Sequence, residues 1–255
     1  MLFLLYFLVD QVFSSDCLSI PQSLCLDEGS YIIGPEANED SLIGYWSFDG
    51  TDTSDHTSNS NAMTFEEDYK PTVGPAMMSR GFSMNFDGLQ QAKIAHISSY
   101  ETNDVTYTLW FYLRADSTGA WRTIFHKGDT LQEMTTSLYL WPKERRLHAR
   151  ASTDEFWSEG IDSHAAIGLR RWTHIAVATS GELMKLYING REDKSTVLDA
   201  TIKWNNGPIY VGKDPWHAGT KCYIDELRLY SGMLKERDIE SLAAPALADA
   251  GIFNF

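Results

Sequence analysis

Eight tryptophans stand out in this chain of 255 residues, and two sit where a sugar could be held. Trp157 is flanked by Glu155 and Glu159, and Trp204 is followed by Asn205 and Asn206. A saccharide is gripped by an aromatic face laid on its C–H groups, beside carboxylates and amides that bond its hydroxyls. Trp157, Trp204, Asn205 and Asn206 are therefore the candidate ligand-binding residues. Trp46 and Trp110 fall in alternating segments that read as core, and Trp216 reads as structural. His126, His148, His164, His174 and His217 are scattered without ligand spacing and read as structural too. Catalysis finds little support. No Gly-x-Ser-x-Gly, phosphate loop or His-Glu-x-x-His occurs, and Ser152–Trp157 lacks the glycine that a sialidase Asp-box turn needs. The expectation is a chain that is not an enzyme.

Such residues need a frame, and the frame is legible in Trp172–Arg191. Ile175 and Val177 alternate with Ala176 and Ala178, Ser180-Gly181-Glu182 makes a polar turn, and Met184, Leu186 and Ile188 alternate with Lys185 and Tyr187. That is period two, a strand buried on one face, returning as a hairpin. Asn189-Gly190 tolerates positive φ and marks the next tight turn. Further strands are expected at 42–50, 81–88, 92–97, 105–114, 123–127, 137–141, 146–150, 208–212 and 222–230. Short strands at such regular spacing predict an all-β protein, a two-sheet antiparallel sandwich. One helix is expected, over 234–243. Thr51–Asn61, rich in Asp, Ser and Asn, is too long for a hairpin turn.

The net charge of −14 disfavours nucleic acid and anionic lipid surfaces, which reward Lys and Arg. It suits cations, neutral glycans and protein partners. Residues 1–14 read as a signal peptide, because an apolar run of about nine residues is too short to span a bilayer. Residues 15–41 read as an N-terminal extension, 42–243 as the domain and 244–255 as a C-terminal tail. The expected location is secreted, extracellular or at the cell surface, with no membrane span after cleavage. Three cysteines remain, Cys17, Cys25 and Cys222. Cys17 with Cys25 would close a short loop, and Cys25 with Cys222 would staple the extension to the domain; both stay open. No Cys-x-x-Cys suggests zinc.

Several segments together resemble a known family. Ile43-Gly-Tyr-Trp-Ser-Phe-Asp-Gly50, an Asp-Ser-Asn loop and Phe82-Ser-Met-Asn-Phe-Asp-Gly88 are similar to the opening of a laminin-G-like, concanavalin A-type jelly roll. Val105-Thr-Tyr-Thr-Leu-Trp-Phe111, Trp172–Val177 with Leu186-Tyr-Ile-Asn-Gly190, Ile209–Trp216 and Tyr223–Tyr230 resemble its later strands. Met233–Ile239 resembles its short helix. The resemblance implies a jelly-roll β-sandwich with one short C-terminal helix, and one concave sheet that often carries the ligand. Its nearest enzymes, laminarinase-type glucanases, carry Glu-x-Asp-x-x-Glu on a strand. Here Tyr223-Ile-Asp-Glu-Leu227 has Tyr in place of the first Glu and no third acid, so that chemistry is absent. The resemblance also implies a structural calcium. Asp225 would be its inward carboxylate, and Asp49, Asp55 and Asn61 its loop ligands; the bland alternative pairs Asp225 with Arg228. Two functions follow. One is a secreted non-catalytic module binding a carbohydrate or an extracellular protein. The other is a structural subunit of an extracellular assembly, held by its N- and C-terminal extensions.

Overall fold

Two antiparallel sheets stack face to face, as alternating apolar patterns require when each sheet has one face to bury. The computed structural model describes residues 39–49, 52–66, 68, 70, 72–77 and 81–244. The signal peptide, most of the N-terminal extension, the tail beyond residue 244, Cys17 and Cys25 lie outside the described residues. In chain order the strands are β1 (Leu42–Trp46), β2 (Thr64–Phe65), β3 (Thr72–Pro75), β4 (Phe82–Asp87), β5 (Ala92–Ile94), β6 (Val105–Leu113), β7 (Arg122–Lys127) and β8 (Ser137–Leu140). They continue as β9 (Arg146–Ala151), β10 (Glu159–Ala166), β11 (Trp172–Ser180), β12 (Leu183–Ile188), β13 (Arg191–Val197), β14 (Ile209–Val211), β15 (Ala218–Gly219) and β16 (Lys221–Ser231), followed by helix α1 (Glu236–Leu242).

One sheet, here sheet A, runs β13-β12-β11-β6-β16-β4-β3, with β1 also paired to β16. The other, sheet B, runs β10-β9-β8-β7-β14-β5-β2, with β15 laid parallel against β7. This is the two-sheet sandwich that the strand pattern predicts, and it is consistent with the jelly roll that the resemblance implies. The β11–β12 hairpin closes at Ser180↔Leu183 and the β12–β13 hairpin at Ile188↔Arg191. Asn189 (φ 51°) and Gly190 (φ 78°) take the left-handed conformations that this two-residue turn demands.

The core fills the space between the sheets. Ile175 and Val177 meet Trp46, Phe86, Phe111, Ile124 and Leu138 there. At roughly 1.5–3 kcal/mol for each large apolar side chain removed from water, this layer is the main stabiliser. The alternate residues Ala176, Ala178, Tyr187 and Tyr230 face the other way and are covered by Leu234, Ile239 and Leu242, at and beside α1. The small alanines let the helix approach the sheet.

Two well-formed strands carry no apolar period. β13 reads Arg-Glu-Asp-Lys-Ser-Thr-Val and lies at the edge of sheet A, where charged side chains are tolerated and discourage edge-to-edge pairing. β10 is the edge of sheet B. Asp193 on β13 joins the two edges, its carboxylate accepting the backbone N–H groups of His164 (2.6 Å) and Ala165 (3.0 Å) on β10.

Candidate ligand site

Three connections converge at one end of sheet B: β7–β8, β9–β10 and the stretch from β13 to β14. An isolated bridge between Thr153 and Ile202 ties the last two together. Between them lies a pocket of about 470 Å³ whose wall includes Gln132, Glu155, Trp157, Lys203, Trp204 and Asn205. Trp157 is 40% exposed and Trp204 42%, which is unusual for the largest apolar side chain. Trp204 is held from behind by His96, whose ring lies parallel to it with centroids 6.5 Å apart, and its backbone N–H bonds Asn103 Oδ1 (2.9 Å). Trp157 is fixed by its carbonyl, which accepts from Ser152 Oγ (2.9 Å). Lys203 and Asp154 form an ion pair on the rim (2.7 Å). Two exposed aromatic faces among free carboxylate and amide groups suit a hydroxyl-rich, uncharged ligand.

Asn205 belongs to this pocket but in a different role. Its Oδ1 accepts from Gly207 N–H (2.9 Å) and Lys127 Nζ (3.2 Å), and its Nδ2 donates to Lys127 O and Thr135 Oγ1 (both 3.0 Å). With both ends of the amide occupied, Asn205 shapes the loop rather than offering a hand to a ligand. Asn206 is exposed beside the pocket and forms none of its wall. The anchor of the loop is Lys127, 1% exposed, whose ammonium donates to the carbonyls of Asn205 (2.7 Å) and Gly207. Burial pulls its pKa down to about 8, so it keeps its proton at neutral pH. The loop can pass this closely because position 207 is glycine: a Cβ there would meet Asp129 N and Gly128 C at 2.2 Å.

The expected calcium ligands divide into two pairs. Asp55, 6% exposed, accepts from Tyr45 N–H (3.0 Å), Thr57 N–H (2.9 Å), Thr57 Oγ1 (3.0 Å) and Asn61 N–H (3.0 Å). Asn61 donates its amide to Ala95 O (2.8 Å) and Tyr100 Oη (3.2 Å) and accepts from Trp46 Nε1 at its carbonyl (3.2 Å). Both hold the long loop in shape and do not fit a metal-ligand role. Asp225 differs. It shares with Tyr223 the face of sheet A opposite the core residues Cys222 and Ile224, so it does not point inward. It is 4% exposed and accepts from Met77 N–H (3.0 Å). Burial, with Glu226 and Asp49 nearby, pushes its pKa up to about 7. Nor does it pair with Arg228, which binds Glu226 instead. A buried carboxylate with acidic neighbours and no cationic partner among the described residues suits a cation, so the chemistry of Asp225 and Asp49 fits part of a calcium shell. Among the described residues no three His, Cys, Asp or Glu side chains converge as a metal site. Among the described residues Cys222 is a free thiol, fully buried, with Sγ against Thr220 O (3.6 Å); its candidate partner Cys25 lies outside the described residues.

One grouping escapes sequence reasoning. On the outer face of sheet B, His126, Tyr139 and His148 come into line because β7, β8 and β9 pair with His126↔Ser137 and Tyr139↔His148. Trp216 and His217 pack over one end (Trp216 4.9 Å from His126, His217 4.9 Å from Tyr139), and Trp121 and Trp141 over the other. Asp214 receives His217 Nδ1 (3.0 Å), and Asp162 receives His148 Nδ1 (2.5 Å) and Arg150 Nη2 (3.1 Å). Burial drives both His126 and His148 down to about 4, so they are neutral at pH 7. That β7, β8 and β9 follow one another was readable; the register that aligns these rings, and the packing of Trp216 and His217 over them, was not.

Comparison with known proteins agrees with this architecture. A laminin G-type family model, described as the concanavalin A-like lectin/glucanases superfamily, matches residues 86–240. Among solved structures, domain 4 of an extracellular GH43 arabinanase from Geobacillus stearothermophilus, in complex with arabinotriose, is 24% identical with a TM-score of 0.63. That match covers 80% of this chain and 98% of that one. The binding domain of Paraclostridial Mosquitocidal Protein 1 is 17% identical (TM-score 0.64) and that of botulinum neurotoxin serotype D 14% (0.62); each match covers 80% of this chain. The chain spans about half the length of those two toxin domains, 52% of each. No curated protein sequence matches it.

Proposed function

This chain belongs to the concanavalin A-like lectin/glucanases superfamily, and we propose that it works as a non-catalytic, extracellular binding module that holds a carbohydrate on Trp157 and Trp204. The observation that carries this reading is the meeting of those two exposed rings in one pocket, walled by polar groups and backed by the Lys127–Asn205 anchor. A sugar would lay a C–H face on an indole and turn its hydroxyls to Gln132, Glu155 and the rim pair. The arabinanase domain with its bound arabinotriose and the toxin binding domains lend the reading support by analogy of fold. Calcium, where bound, would be held by Asp225 with Asp49 and would supply positive charge to this buried carboxylate.

A glycan array followed by titration calorimetry, with and without calcium, tests this. The expected result is a saccharide hit, weakened about tenfold by Trp157→Ala and by Trp204→Ala with the melting temperature little changed, since each ring already stands in water. Calcium is expected to raise the melting temperature of the wild type and not of Asp225→Asn. A blank array, or affinity unmoved by both tryptophan variants, defeats the sugar reading and leaves a protein partner or an assembly as the occupation of this module.

A further inference from the structure

At the opposite end of β7 from the tryptophan pocket there is a second cavity, of about 530 Å³. Its wall comes from the end of β4 and the turn after it (Asp87, Leu89), the first residue of β7 (Arg122), the β14–β15 connection (Lys213), β15 (Gly219) and the first residue of β16 (Lys221). Three of these side chains are cations and one is an acid, in a chain whose net charge is −14.

Arg122 is the centre of it. The residue is 1% exposed. It pairs across β7–β8 with Leu140, a core residue, so its side chain enters the end of the sandwich between the sheets. Nη1 donates to the carbonyls of Ala115 (3.2 Å) and Asp116 (3.0 Å). Nε and Nη2 are buried and have no acceptor among the described residues. Those two N–H groups form one edge of the guanidinium, the edge that receives two oxygens of a carboxylate or sulfate side by side. No carboxylate lies within ion-pair distance of Arg122, Lys213 or Lys221 among the described residues, and Asp87 is turned to its own loop, accepting from Leu89 N–H (3.0 Å). An unpaired buried guanidinium is costly, and its natural remedy is an anion.

We infer that this cavity is an oxyanion site, which takes a carboxylate or sulfate group against Arg122, with Lys213 and Lys221 at its mouth. It is separate from the tryptophan pocket and does not depend on the sugar reading. A carboxylate carried by an acidic monosaccharide and a free inorganic anion present the same oxygens, and the cavity has room for either.

The test is thermal melting of the full chain in fixed ionic strength with sulfate, glucuronate or glucose. A saturable rise of about 3 °C with the anions and none with glucose is expected. Arg122→Gln should abolish it and Lys213→Gln, on the half-buried rim, should weaken the half-saturating concentration about fivefold. Lys213→Gln carries the test if Arg122→Gln does not fold. Tighter binding of glucuronate than of sulfate assigns the site to an acidic saccharide, and the reverse order assigns it to a free anion. The same rise in wild type and Lys213→Gln, or no rise with either anion, overturns the proposal and leaves water as the partner of Arg122.

Discussion

Strand β7 carries a buried cation at each end, both 1% exposed, and the two are treated differently. At the tryptophan end, the Lys127 ammonium is enclosed by the carbonyls of Asn205 and Gly207 and by the Asn205 amide oxygen. At the other end, among the described residues, Arg122 has acceptors on Nη1 only, while Nε and Nη2 face none. Burial pulls the pKa of each below its ordinary value. A cation whose donors are all answered by its own chain is a fastener; one left with a free edge beside a cavity is a place for something else. Burial alone would have ranked them as equals.

The largest expected effect comes from breaking the fastener. Lys127→Met should cost roughly 2–4 kcal/mol in denaturant unfolding, because two buried carbonyls lose their donor at about 1–3 kcal/mol each. It should also loosen the loop that carries Trp204 and weaken any sugar affinity. If stability is unchanged, the enclosure of Lys127 is not what holds this end. Next in size is the acid sensitivity of His126, which directly precedes Lys127 on β7. Its folded pKa of about 4 lies below its unfolded value of 6.5, so the unfolded chain binds the proton first as pH falls. The stability due to neutral His126 is full above about 6.5 and is lost progressively down to about 4. His126→Gln should therefore show a smaller drop in melting temperature between pH 7 and 4.5 than the wild type. Equal drops would assign the acid sensitivity to other groups. The smallest effect belongs to the open end. Arg122→Met, measured without added anion, should change stability by less than about 1 kcal/mol, since the loss of two bonds is offset by removing an unanswered charge. A loss as large as that of Lys127→Met would erase the contrast between the two ends.

Much of this was legible one residue at a time. Period-two alternation located β11 and β12, and Asn189-Gly190 located the turn after them, because these are local consequences of side-chain direction and backbone sterics. Trp157 and Trp204 were marked by lying between the alternating segments, and the structure brings them to one pocket, 47 positions apart in the chain. Asn205 was marked too, for the wrong task, since its amide serves Lys127 and Thr135. β10 and β13 were not legible, because an edge strand exposed to water need not alternate.

What the sequence determined by itself is the layered β architecture, the pairing of hairpin neighbours and the acidic surface, all set by contacts close in the chain or by composition. What only the tertiary structure decided is which strands from distant stretches lie side by side. That choice brought Met77 N–H to Asp225, laid Trp216 and His217 over His126 and Tyr139, and set Trp204 beside Trp157 in one pocket. It also brought Asn205 and Gly207 to the Lys127 end of β7, while Arg122 at the other end is answered on Nη1 alone among the described residues. Whether a polar group is satisfied depends on neighbours that the chain supplies from far away, and no local pattern records them.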